Sequence, residues 1–140
     1  LLKAVGDRVY RGSVLAKLAV LHIERGRLDE GEQMTQQALR MFRTTQERGG
    51  EGVQLGNLGI IQQSRGLFDE AEQTYELALT RLRETGVRAF EGRYRGYQGT
   101  MWHERGDLAR AAQCYDDAIV TLQGVSDVSH ELLFSAALGA

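Results

Sequence analysis

Between residues 68 and 82, apolar side chains recur in steps of three and four: Phe68, Ala71, Tyr75, Ala78, Leu79 and Leu82. That spacing places them on one face of an amphipathic helix. The stripe returns 40 residues earlier as Leu28, Gly31, Thr35, Ala38, Leu39 and Phe42, and 40 residues later as Leu108, Ala111, Tyr115, Ala118, Ile119 and Leu122. Each copy is preceded by a glycine in the same register, Gly26, Gly66 and Gly106, where a left-handed residue can end a helix. Asp29, Asp69 and Asp107 follow closely, near the positive end of the next helix dipole. Upstream of each glycine the spacing predicts a first helix, over about 8–25, 49–65 and 89–105, and a last helix over about 129–139. Self-similarity at a fixed period of this length means stacked helical hairpins, so the predicted fold is all-α.

The first helices contain glycine where alanine would be about 1 kcal/mol more favourable. Gly56, Gly59, Gly96 and Gly99 are therefore expected at close helix contacts. Ala19, Gly59, Gly99 and Gly139 share one register position, and Ala38, Ala78 and Ala118 on the second helices are the expected facing surface. In the same register Leu1-Leu2-Lys3 overlies Met41-Phe42-Arg43, and Ala140 overlies Thr100. The expected organisation is one array: a partial repeat over 1–8, repeats over about 9–48, 49–88 and 89–128, and a partial repeat over 129–140. This reads as a fragment of a longer array, whose exposed apolar ends could pair molecules end to end.

Composition narrows the function classes. Hydrophobic residues make up 42% of the chain and charged residues 26%, as in an ordinary globular protein, and proline is absent. A net charge of −2 with no basic cluster argues against a nucleic-acid partner. No apolar run approaches the ~18 residues of a membrane span, and the start has no charged-then-apolar signal pattern. The expected location is cytoplasmic. His22, His103 and His130 stand far apart, Cys114 has no basic neighbour in sequence, and Arg48-Gly-Gly-Glu-Gly52 lacks the lysine and hydroxyl of a phosphate loop. No catalytic, metal or cofactor site is expected.

Asn57-Leu58-Gly59, Gly66, Ala71, Tyr75 and Ala78-Leu79 together resemble the tetratricopeptide repeat. The period of 40 in place of the usual 34 resembles the repeats of spindle-orientation adaptors, kinesin light chains and bacterial signalling regulators such as the maltose-type transcription activators. His22, Trp102 and Thr35 depart from the residues that motif prefers. The resemblance implies a right-handed superhelix of antiparallel helix pairs, with a concave wall built mainly from the first helices. It implies a protein-interaction scaffold that is not an enzyme and holds a peptide or partner helix in that groove. A second implied reading is a ligand- or peptide-sensing array that controls an effector domain of a larger signalling protein. Carried onto this chain, the groove residues are Lys17, Val20, Asn57, Ile60, Arg93, Tyr97, Thr100 and Glu104, together with Ser13, Glu24, Val53 and Ser64. Asn57 is the residue implied to meet a peptide backbone. The family's carboxylate clamp is incomplete: only Asn57 and Arg93 match it, and Ala16, Val20 and Tyr97 stand at its other positions.

Overall fold

The computed structural model describes residues 2–125 and 128–139. Leu1 and Ala140, at the outer limits of the two expected partial repeats, lie outside the described residues. Among those described, the chain forms seven helices: α1 (Leu2–Glu24), α2 (Leu28–Thr44), α3 (Arg48–Ser64), α4 (Phe68–Thr85), α5 (Arg88–Glu104), α6 (Leu108–Gln123) and α7 (Val128–Gly139). They stack in chain order, with pairs α1–α2, α3–α4 and α5–α6 in closest contact and α7 laid on α6.

The glycines end the first helices by the expected mechanism. Gly26, Gly66 and Gly106 have φ of 75°, 75° and 83°. The next amide closes each end, with Arg27 N donating to His22 O, Leu67 N to Gln62 O and Asp107 N to Trp102 O at 2.8–3.0 Å. The acidic residues stand at the following helix starts, as the dipole reading expects, but they are held in two ways. Only the Asp107 side chain accepts from a helix amide, that of Arg110, at 3.1 Å. Asp29 and Asp69 lie inside the first turns of α2 and α4 and accept instead from Arg65 and Arg105 of the next repeat.

α2 and α4 end in the same left-handed geometry, filled by Gln46 (φ 60°) after α2 and by glycine (Gly86, φ 71°) after α4. A side chain in that region costs about 1–2 kcal/mol. Gln46→Gly is therefore expected to stabilise the protein by about 0.5–1 kcal/mol, after the greater freedom of glycine in the unfolded chain is deducted. Chemical denaturation checks it; an unchanged or lower midpoint would show that Gln46 is unstrained. The register equivalent in α1 is Gly6, and there the expected break is missing: the backbone stays helical and α1 runs unbroken from Leu2. Nothing packs within 4 Å of a Cβ built on Gly6, so a turn at that point would gain no contact.

Close approaches at glycine set the packing between and within repeats. A Cβ on Gly56 would lie 2.3 Å from the Tyr94 ring, and one on Gly96 would lie 2.1 Å from the Phe134 ring. Each aromatic residue comes from the next first helix. Within a repeat, Gly59 meets the Tyr75 ring and Gly99 the Tyr115 ring. The surface opposite these glycines is thus tyrosine, not the alanine row; Ala38, Ala78 and Ala118 are nonetheless fully buried. The first repeat has a smaller pair in the same places, Ala19 and Thr35, both fully buried.

Ion pairs repeat along the seams. Arg65 reaches Asp29 and Glu32; 40 residues on, Arg105 reaches Asp69 at 3.1 Å and Glu72 at 3.7 Å. Arg43 lies 3.6 Å from Glu51, and Arg83 lies 3.1 Å from Glu91. Exposed pairs contribute about 0–1 kcal/mol each. Burial of the aromatic and leucine side chains outweighs them, so the pairs matter more for register than for stability.

Candidate concave binding site

The first helices line up along one wall, and two adjoining cavities of about 350 and 490 Å³ open on it. Val20, Asn57, Phe90, Arg93 and Tyr94 border both. Ile60 and Tyr97 close the first cavity, and Ser13, Lys17 and Val53 line the second. Six of the eight principal groove residues, Lys17, Val20, Asn57, Ile60, Arg93 and Tyr97, are therefore brought together. Glu24 joins the first cavity, whereas Ser64 borders neither.

Thr100 and Glu104 also lie outside both cavities. The Gln63 amide nitrogen donates to Thr100 Oγ1 at 2.9 Å and to Glu104 Oε1 at 2.7 Å, while its oxygen accepts from the Tyr75 hydroxyl at 2.7 Å. Thr100 donates to the Tyr97 carbonyl at 2.7 Å. Their polar atoms serve as ties between α3, α4 and α5.

Tyr94 is the residue that sequence reasoning missed. The groove residues that the resemblance implies include Arg93 and Tyr97 but not Tyr94. In the structure it is buried and borders both cavities. The absent side chain of Gly56 admits its ring between α3 and α5. Its hydroxyl lies 2.9 Å from both the Val53 carbonyl and Asn57 Oδ1, and one proton serves this pair of acceptors. Burial pushes the Tyr94 phenol well above the ordinary tyrosine range, so the hydroxyl stays a donor. The available signal was the repeated offset of 38 residues between Gly56 and Tyr94 and between Gly96 and Phe134. Phe90, Ile23, Phe42 and His130 were missed as well.

Asn57 is only 4% exposed. With Oδ1 engaged by Tyr94, its amide nitrogen is left without a partner, as is Gln54 Oε1 one helical turn earlier. Buried amides ordinarily find partners, so these two orphans border the same trough. The Arg93 guanidinium lies over the Phe90 ring at 4.9 Å. Tyr97 is half-buried, set edge-on to Phe134 with ring centres 6.0 Å apart, and burial raises its phenol pKa. The trough is thus an apolar floor with one buried amide donor, two cations, Lys17 and Arg93, and one carboxylate, Glu24, at the edge of the first cavity.

Reactive groups are placed differently. Cys114 is buried against Gly99, and burial raises its thiol pKa, which suppresses the nucleophilic thiolate. Trp102, buried at its repeat's packing position, carries Arg105 and Arg110 over its ring at 4.9 and 4.5 Å. Among the described residues, no helix is long and apolar enough to cross a membrane.

Comparison with known proteins agrees with this architecture. Among solved structures, BtubC (BKLC) from P. vanneervenii superposes with a TM-score of 0.69 at 20% sequence identity. The match covers 81% of this chain and 46% of BtubC, so the chain spans less than half of that protein. A comparison with curated proteins gave no match. The Tetratricopeptide repeat profile matches residues 10–84, more than half of the sequence and the stretch that holds Lys17, Asn57 and the Gly59–Tyr75 contact. By that match, and by its stacked helical hairpins, the chain belongs to the tetratricopeptide repeat family.

Proposed function

We propose that the protein is a non-catalytic interaction module that binds an extended peptide or helical segment of a protein partner, acidic in character, along the concave wall. Repeats of this family are generally protein–protein interaction modules. The observation that carries the reading is the unpartnered Asn57 amide nitrogen under a continuous apolar trough bordered by Lys17 and Arg93. An amide donor takes a backbone carbonyl, the two cations attract carboxylates, and Tyr97 with Phe90 supplies contact area.

The test begins with a pull-down that identifies the partner, followed by titration calorimetry with variants. Asn57→Ala and Tyr97→Ala are each expected to weaken binding by about 2 kcal/mol, some 30-fold, with helical content unchanged. Gln73→Ala, exposed on α4 away from the trough, is expected to bind like the wild type. Wild-type affinity in both groove variants would move recognition to another surface.

A further inference from the structure

The charges of the concave wall are sorted to its opposite edges. Equivalent places in successive first helices form rows across the wall: Lys17 aligns with Asn57 and Tyr97, and Glu24, two turns later, aligns with Ser64 and Glu104. Arg93 stands one turn before Tyr97, on the Lys17 side. The cations therefore occupy one edge of the wall and the carboxylates the other. The two cavities divide in the same way. Lys17 borders only the second, whose lining holds no acidic residue among those described, and Glu24 borders only the first.

Lys17 and Glu24 carry this polarity. Both are exposed, and neither forms an ion pair among the described residues. Arg93 borders both cavities and does not distinguish them, while Glu104 is engaged by Gln63. Seven residues of helix set Lys17 and Glu24 about 10 Å apart along α1. The charge of Glu24 is felt across the trough on α5. Burial raises the Tyr97 phenol pKa, Arg93 works against that rise, and Glu24 adds to it. The ring at the centre of the wall thus stands in the field of both edges.

We infer that the guest of the trough is bipolar: an extended segment of a partner protein that seats an Asp or Glu side chain beside Lys17 in the second cavity and a Lys or Arg side chain beside Glu24 in the first. An extended chain advances about 3.3–3.6 Å per residue, so the two charges stand about three positions apart. Apolar side chains between them cover Val20 and Ile60, which border the passage from one cavity to the other. A segment acidic throughout would set a carboxylate against Glu24, and such repulsion is how a site rejects a near match. The inference rests on the trough being a peptide site, and it confines the acidic character of the guest to one edge.

Titration of the whole chain with three end-capped synthetic peptides tests the inference. The first is Ala-Leu-Glu-Ala-Leu-Lys-Leu-Ala, the second has its Glu and Lys exchanged, and the third has Glu at both places. Binding is followed at low salt by the amide NMR signals of Val20, Asn57 and Tyr97. One of the two bipolar orders is expected to bind about twofold to fivefold more tightly than the doubly acidic peptide. Glu24→Lys is expected to reverse that preference. Lys17→Glu is expected to weaken the favoured bipolar peptide by a similar factor, while circular dichroism shows an intact helical stack in both variants. The inference is overturned, with the peptide site left standing, if the doubly acidic peptide binds the wild type at least as tightly as both bipolar ones. A preference that survives Glu24→Lys overturns it in the same way. If none of the three peptides shifts the trough signals, the peptide site fails together with it.

Discussion

Tyr75→Thr is expected to remove about 3–5 kcal/mol of stability, the scale of truncating a fully buried aromatic ring, and adding Gly59→Ala is expected to restore about 1 kcal/mol of it. Tyr75 is 0% exposed, and its ring lies 2.7 Å from where a Cβ on Gly59 would stand. Its hydroxyl is fixed by Gln63, so the ring cannot swing aside. Gly59→Ala alone should therefore cost about 1–3 kcal/mol by overpacking, in spite of the ~1 kcal/mol that alanine gains in helix propensity. Once Tyr75 is reduced to threonine, the added methyl enters vacated space. The protein already contains that solution, because Ala19 and Thr35 occupy the equivalent positions in the first repeat. Gly59→Leu, too large for either arrangement, is expected to be at least as harmful as Leu79→Ala, at about 2–5 kcal/mol. Urea denaturation of the two single variants and the double variant measures the coupling. Strictly additive effects would show that Tyr75 and Gly59 do not compete for the same space.

Phe134→Ala is expected to detach α7, at a cost of about 3–5 kcal/mol to that part of the stack. Phe134 is fully buried, sits over Gly96 and stacks on Tyr115 with ring centres 6.0 Å apart. α7 packs chiefly against α6, and each unit of a linear stack draws its stability from its neighbours. The damage should accordingly be local. Hydrogen exchange is expected to show lost protection in α7 and along the newly exposed face of α6, while amides of α3 and α4 keep theirs. Uniform loss along the chain would mean that the repeats melt as one cooperative block. The same substitution removes the edge-on support of Tyr97 and should weaken ligand binding as well.

The helix pairs were legible in the sequence because their causes are local and repeated. A left-handed glycine ends a helix wherever it stands, and a stripe such as Leu108, Ala111, Tyr115, Ala118 needs no partner to be recognised. The unbroken start of α1 was less so: Gly6 occupies a turn position, but a turn forms only where a neighbouring helix rewards it. Asp29 and Asp69 stand in the first turns where the dipole reading puts them, but their pairing with Arg65 and Arg105, a repeat away, has no signal within one helix. The same applies to the groove. Lys17, Asn57 and Tyr97 could be aligned by register, whereas Tyr94 enters because a glycine 38 residues earlier leaves room for its ring. Thr100 and Glu104 lie outside the two cavities, where both accept from Gln63. Contacts between repeats depend on pairs of side chains, and a helical wheel drawn for one helix contains only half of each pair.

The Tyr94 hydroxyl gives the trough a directional preference. Since its proton is shared between Val53 and Asn57, the Asn57 side chain offers the groove a hydrogen and withholds its oxygen. On the proposed reading, a bound peptide that uncovers the buried amide nitrogen would be held there through a carbonyl and not through its N–H. A guest that took the asparagine oxygen would have to draw Tyr94 away from it, and so loosen the seam between α3 and α5. On that reading, holding a guest and closing the seam between α3 and α5 would draw on a single proton.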